Sequence, residues 1–370
     1  MADLKRFLIP WIDDIKPYDT DDLVVAWSRP ELKRMMINEN PLPPSERVVE
    51  AVVKAAKMGN RYPDNGPRLR AKIAKRYDLG PDNVYISHGS SEIIDILMRL
   101  FVTPGDEVLL PHPTFSLYGI RAKTCGGRVV PVDMTPDLQY DVPAMLRAVT
   151  PRTKLIIICT PNNPTGDFIP DEDLMKMVEL GIPTLIDEAY LEYHPERESK
   201  APLVRSYNHL IVAHTFSKAY GMAGIRFGYA LGDEQMIRYF RKVQIPWNTS
   251  LLSMAAAEAA LDEEDELKRK AAYNNAGVEY ICKELSKIPG VRPYYSHGNY
   301  VIIDATDAGV TGKAIVDYVF EKDGVMLKAF APLRGRGGFF RVSIGSHEEN
   351  SICVQSIKRF FKENERNQKG

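Results

Sequence analysis

Lys154-Leu155-Ile156-Ile157-Ile158-Cys159-Thr160-Pro161-Asn162-Asn163-Pro164-Thr165-Gly166 runs from an apolar stretch straight into a rigid polar turn. The next such stretch, Thr184-Leu185-Ile186, opens into Asp187-Glu188-Ala189-Tyr190. A helical pattern at 172–180 lies between them, so the local unit reads strand, helix, strand. A connection of that length joins parallel strands and covers one face of their sheet. Apolar runs rich in Val and Ile continue the alternation at 83–87, 107–111 and 128–132 upstream and at 210–216 downstream. Helical patterns at 91–101 and 143–149 fall between them. Residues 224–231 also read as a strand, but only about eight residues separate them from the previous one, too few for a parallel crossover. The expectation is an α/β fold: a mostly parallel seven-stranded sheet with one antiparallel strand and helices on both faces.

Toward the ends the texture changes. Residues 1–45 contain no long periodic segment and finish in Asn40-Pro41-Leu42-Pro43-Pro44, which reads as an arm packed on the rest of the molecule. Ser45 suits the cap of a helix at 46–58, with Val49, Val52, Val53 and Ala56 on one face and Gly59 as the stop. Beyond 250 a long helical segment at 254–285 precedes strands near Tyr300, Met326 and Phe340 and a helix from Glu348. The expected division is an arm at 1–45, a large domain at 46–250 and a small α+β domain at 251–370. Residues 362–370 read as a frayed, solvated end.

Composition narrows the function. The formal net charge is -1, with Lys and Arg scattered rather than striped, which argues against nucleic acid as a partner. No apolar stretch reaches membrane-spanning length, and the opening residues lack a secretory pattern, so a cytoplasmic enzyme is expected. Cys125, Cys159, Cys282 and Cys353 are too far apart for a metal pair or a disulfide framework and read as reduced thiols. No metal site is expected.

In an open parallel sheet, ligands bind beyond the carboxyl ends of the strands. Four exits carry chemistry: Ser87-His88-Gly89-Ser90-Ser91 before a helix, the turn with Asn163, Asp187 to Tyr190, and His214-Thr215-Phe216-Ser217-Lys218. The first offers backbone N–H groups to a phosphate. Together they bring a carboxylate, an amide, a phenol and an amine to one cleft. Taken singly, each has a plainer reading: a turn aspartate, turn-forming asparagines, a core Phe115, a salt-bridged Arg226, a surface Lys218.

The ordered set P-N-N-P-T-G (161–166), D-E-A-Y (187–190) and S-K-x-x-x-x-x-G-x-R (217–226) resembles the fold-type I, class I and II pyridoxal-phosphate-dependent aminotransferases. Within them the chain is most similar to the histidinol-phosphate aminotransferases. The resemblance runs from Pro17-Tyr18 to Phe340-Arg341-Val342-Ser343. It implies that the cofactor is pyridoxal 5'-phosphate, that Lys218 condenses with the cofactor aldehyde, and that Asp187 holds the ring nitrogen protonated. It places Asn163 and Tyr190 on the ring's phenolic oxygen and Phe115 against the ring. Gly89, Ser90, Ser91, Thr215, Ser217 and Arg226 would hold the phosphate, joined by Tyr62 from a neighbouring subunit, which implies a homodimer. Tyr18, Asn40, Lys328 and Arg341 would meet the substrate.

Three positions depart from the family pattern. Ser91 stands where an acidic residue is usual, Phe115 where tyrosine is common, and Lys328 where an arginine usually stands. Lysine is a compact charge without arginine's fork. Arg334 and Arg336 nearby read either as compensating charges or as part of a solvated loop. The activity implied is ping-pong transfer of an amino group from a small-molecule donor, histidinol phosphate or an aromatic amino acid, to 2-oxoglutarate. Histidinol phosphate would point to histidine biosynthesis. A decarboxylase of the same fold, like the threonine-phosphate decarboxylases, is the alternative. A cofactor-bound regulatory module without turnover is the third.

Overall fold

The computed structural model describes residues 4–369. Its strands are β1 (Lys33–Arg34), β2 (Val84–Ser87), β3 (Glu107–His112), β4 (Arg128–Asp133), β5 (Thr153–Cys159), β6 (Thr184–Asp187), β7 (Leu210–Thr215), β8 (Gly228–Gly232), β9 (Arg292–Tyr294), β10 (Tyr300–Asp304), β11 (Val325–Met326), β12 (Lys328–Ala329) and β13 (Phe339–Ser343). Seven of them form one sheet in the order β2-β8-β7-β6-β5-β3-β4. Pairing is parallel except at β8, which runs antiparallel to both neighbours.

Alternate residues of these strands feed two cores. Ile156, Ile158, Ile186 and Val212 enter one; Leu155, Ile157, Leu185 and Ile211 enter the other. That is why the strands read as continuous apolar runs: both faces are covered, and each fully buried Ile or Leu contributes about 1.5–3 kcal/mol. β8 begins at Gly228, four residues later than the sequence pattern suggested. The intervening stretch is a loop in which Arg226 takes a left-handed backbone (φ 61°) and turns its guanidinium inward.

Ser45 caps the helix Glu46–Ala56 by accepting the Val48 N–H at 3.3 Å. Val48 and Ala55 are buried there, whereas Val49 (43 % exposed) and Val53 (55 %) form a second apolar stripe facing outward. The expected single helix at 254–285 is two, Leu251–Ala260 and Glu264–Leu285. The break is held by its carboxylates: Asp262 pairs with Lys72 and Arg47, and Glu263 accepts from Ser45. Met254, Ala256 and Ala257 thereby join the core of the large sheet, while Val278, Ile281 and Leu285 join another.

That other core lies under an antiparallel sheet, β12-β13-β10-β9. The arm is tied to it: β1 pairs in parallel with β11, and Met35 is buried among Val301, Val342 and Phe340. The terminal helix His347–Lys369 keeps a helical backbone through the segment expected to fray. All four cysteines are free. Among the described residues, no helix is long and apolar enough to cross a membrane.

Candidate active site

β5, β6 and β7 lie side by side with Cys159, Asp187 and Ala213 in register, so their exits open at one level. Asp187 is buried. Its Oδ2 accepts from the Tyr118 hydroxyl at 2.7 Å and its Oδ1 from the Ala189 N–H at 3.1 Å. Burial pushes its carboxyl up to about 6, against the pull of the Tyr118 bond. Lys218 is held over the arm, its Nζ donating to the Asn38 carbonyl at 3.0 Å and to that of Ile37 at 3.4 Å. Burial and then the nearby Arg341 charge bring its amine down to about 8.

Tyr190 presents its ring 5.9 Å from the Lys218 amine and accepts at its hydroxyl from Asn38 Nδ2 at 3.1 Å. The two asparagines of the turn divide the work. Asn162 is locked into the fold through Pro113, Thr114 and Thr165, while Asn163 Oδ1 accepts from Arg341 Nη1 at 2.6 Å. Arg341, on β13, also donates from Nη2 to the Met36 carbonyl at 2.7 Å. Its Nε is buried with no hydrogen-bond partner among the described residues. A buried guanidinium short of one partner suits an incoming carboxylate or phosphate, which accepts two parallel N–H bonds.

Phe115 lies between Tyr18 and Tyr118, edge-on to both, with centroids 6.1 Å and 5.5 Å away. On the opposite side of the cleft floor, Gly89 (φ 74°) precedes Ser90 and Ser91, which open the helix Ser90–Phe101. A Cβ on Gly89 would stand 2.4 Å from Arg226 Nη2, so only glycine admits the guanidinium to this helix end. Arg226 Nη1 donates to Ser217 Oγ at 3.2 Å, and Thr215 Oγ1 to the same Ser217 oxygen at 3.0 Å. Helix N–H groups, a guanidinium and hydroxyls facing one space form a phosphate cradle.

The remaining expected residues are placed less simply. Asn40 donates its amide to the Lys218 and Ala219 carbonyls and accepts from the Leu42 N–H, so it braces the Lys218 loop rather than facing substrate. Lys328 sits directly across from Arg341 in the β12–β13 pair, yet its amine turns to Asp19 at 3.5 Å and Asp22 at 3.9 Å. Arg334 donates to the Met134 carbonyl and Arg336 pairs with Asp304 and Asp307, so neither is loose. Tyr62 is 77 % exposed and stacks on Trp247 at 4.3 Å. Sequence reasoning missed Tyr118 and Asn38. Tyr118 stands three residues after Phe115, one helical turn on, and that spacing was the available signal.

The family model for aminotransferases of class I and II matches residues 32–357, which includes Asn163, Asp187, Lys218, Arg226 and Arg341 but not Tyr18, Asp19 or Asp22. The chain belongs to the class I and II aminotransferase family. Among its relatives is a histidinol-phosphate aminotransferase from Caldanaerobacter subterraneus subsp. tengcongensis, 33% identical over 97% of this chain and 99% of that one. Another, from Thermoanaerobacter sp. (strain X514), is 33% identical over 90% of this chain and 94% of its own length. The crystal structure of histidinol-phosphate aminotransferase from Sinorhizobium meliloti in complex with pyridoxal-5'-phosphate superposes with a TM-score of 0.86 at 26% identity, covering 96% of this chain and 98% of that one.

The expected fold, enzyme class and cofactor therefore stand: this is a pyridoxal-phosphate-dependent aminotransferase of the fold-type I architecture, acting on small-molecule amino and oxo-acid substrates. The site fits the cofactor on its own geometry. Gly89 lets the Arg226 guanidinium lie against the start of the helix Ser90–Phe101, where it could meet a phosphate, and the buried Asp187 ends the strand next to the one that leads to Lys218. The decarboxylase alternative has less support, since the matching family and these relatives are aminotransferases by name.

Proposed function

We propose that this aminotransferase takes its amino group from histidinol phosphate or an aromatic amino acid and delivers it to 2-oxoglutarate in two half-reactions at the Lys218 site. The observation that carries the reading is Arg341: buried, anchored by Asn163, left with Nε unpartnered among the described residues, and close enough to Tyr18 for the two to interact electrostatically. One anion-binding guanidinium serving donor and acceptor in turn is what a ping-pong exchange requires. It would hold the carboxylate of a 2-oxo acid or amino acid, or the phosphate of histidinol phosphate.

Pyridoxal phosphate, when bound, supplies the electron sink for the bond broken at the substrate's α-carbon. Asp187 is a desolvated carboxylate whose own bonds come from neutral donors, so it favours a protonated ring nitrogen opposite it. Asn163 and Tyr190 would hold the ring's phenolic oxygen. Lys218, with its amine brought down to about 8, would give up and regain a proton at Nζ close to neutral pH and so serve as the site's proton carrier. Gly89, Ser90, Ser91, Thr215, Ser217 and Arg226 fix the phosphate and with it the ring's position.

The same reading makes the enzyme a cytoplasmic homodimer in which Tyr62 reaches the partner's phosphate. Support comes from Tyr62 and Trp247 standing stacked and exposed, with the outward stripe of Val49 and Val53 on a helix of the same unit. A panel of donors incubated with 2-oxoglutarate tests the function. Glutamate formed fastest from histidinol phosphate or an aromatic amino acid supports it, and carbon dioxide release without glutamate overturns it in favour of the decarboxylase.

A further inference from the structure

His214 alternates along β7 with Ala213 and Thr215 and so points to the face of the sheet away from them. It is 1 % exposed. Its Nδ1 lies 2.9 Å from Glu192 Oε1 and its Nε2 3.1 Å from Glu188 Oε2. The ring lies flat on Tyr229, its register partner on β8, at 4.9 Å and 15°. Glu188 also accepts from Ser199 Oγ at 2.5 Å and the Lys200 N–H at 2.8 Å. Tyr77, Tyr220 and Arg76 complete the set of titratable groups around it.

A neutral imidazole has one N–H, so it can satisfy only one of two carboxylates; the other would face a lone pair. Both contacts are satisfied only when the ring is a cation, and a carboxylate pair this deeply buried needs that cation. The chain positions give the cluster its meaning. Glu188 follows Asp187, Glu192 lies in the turn after Tyr190, and His214 precedes Lys218 by four residues. One imidazolium thus ties the segment that carries the ring acid and the phenol to the strand that delivers the lysine.

We propose that His214 is a positioning residue: as a buried cation clamped between Glu188 and Glu192, it fixes Asp187, Tyr190 and Lys218 relative to one another. The proposal rests on the roles given above to those three residues. It adds an electrostatic consequence, because the imidazolium favours the ionised form of Asp187. The shape of the clamp and its charge are separable, since His214→Arg keeps the cation and His214→Gln keeps one hydrogen bond without it.

The test uses holoenzyme of the parent, His214→Gln and His214→Arg, with kcat, donor KM, thermal midpoint and the pH titration of the bound cofactor's visible absorption. His214→Gln is expected to lower kcat between roughly tenfold and 100-fold with little change in KM, as small misplacements of reacting groups do. It should also move the absorption midpoint by about one pH unit, a 1.4 kcal/mol change in proton affinity. His214→Arg should restore both. A His214→Gln enzyme that melts earlier but keeps parental kcat and titration overturns the proposal, as does an arginine variant no better than the glutamine one. Should His214→Gln fail to fold, Glu192→Gln carries the test: it lets a neutral His214 satisfy both neighbours, and an unmoved midpoint overturns the proposal. A parent holoenzyme with no pH-dependent cofactor band overturns the Lys218 assignment first, and this inference with it.

Discussion

The half of the site proposed to hold the cofactor and the half proposed to meet the substrate are assembled over very different distances. Asp187, Asn163 and Lys218 stand at the exits of adjacent strands, and Asp187 meets its partner Tyr118, on the helix Ser116–Thr124, across 69 residues. On the substrate side, Arg341 reaches the arm at Met36 across 305 residues and Lys328 reaches Asp19 across 309. The cofactor half is buried in the main cores and closely bonded. The substrate half depends on an arm whose Asp19 is exposed and whose Tyr18 and Asp22 are about half exposed. A rigid chemical centre with an adjustable recognition side is the division this architecture makes, because local unfolding draws on the least buried elements first.

The comparison can be broken from either side. The largest effect is expected in the cofactor half: Lys218→Ala should reduce transamination by about 10⁴-fold, the upper range for loss of a proton carrier. Single-turnover kinetics with donor alone would check it. Next comes Arg341→Ala, which removes the buried anion partner and should raise donor KM by about 100-fold. The same change takes a cation from beside Lys218, where it lowers the amine's pKa, so the pH of half-maximal cofactor capture by apoenzyme should rise above that of the parent. Stopped-flow absorbance across pH would show both the parental midpoint and the shift.

A third prediction turns on the cost of burying Asp187. Its carboxyl is raised to about 6, so the folded apoenzyme holds a proton there that the unfolded chain, with its ordinary carboxyl, releases from about pH 4 upward. The burial penalty is therefore fully present above pH 6 and fades toward pH 4. Asp187→Asn should stabilise the cofactor-free protein by roughly 2–3 kcal/mol at pH 8, less at pH 5, while weakening cofactor retention. Urea midpoints at the two pH values would decide it. The smallest effect belongs to the exposed arm: Asp19→Asn with Asp22→Asn removes both carboxylates from Lys328 and should lower KM roughly two- to fivefold for a phosphorylated donor, but not for an aromatic amino acid. Equal shifts for both donors would show that the arm senses something other than charge.

How much could be read in advance follows the same divide. The parallel sheet was legible because strands buried on both faces carry unbroken apolar runs, and the antiparallel β8 because a short loop permits no crossover. The polar exits were legible because each motif is contiguous in sequence. The start of β8 was not, since Gly224 and Ile225 fit a strand locally and only the inward turn of Arg226 denies it. Nor was the break after Ala260, where the periodicity continues and the interruption is set by Lys72, Arg47 and Ser45 from distant helices. Asn38 and the Lys328–Asp19 pair depend on long-range packing that no local pattern encodes. Asn40 stands beside Lys218, and the bonds that its amide gives to the Lys218 loop were not readable from the sequence, because a side-chain amide serves a backbone loop as well as a ligand.

The account's central claim is that Lys218 is the amine that captures the cofactor. Apoenzyme incubated with pyridoxal phosphate, reduced with borohydride and digested for peptide mass analysis tests it most directly. The account predicts one pyridoxyl group, carried by Lys218. A modification on another lysine, or none with the protein folded, would contradict it.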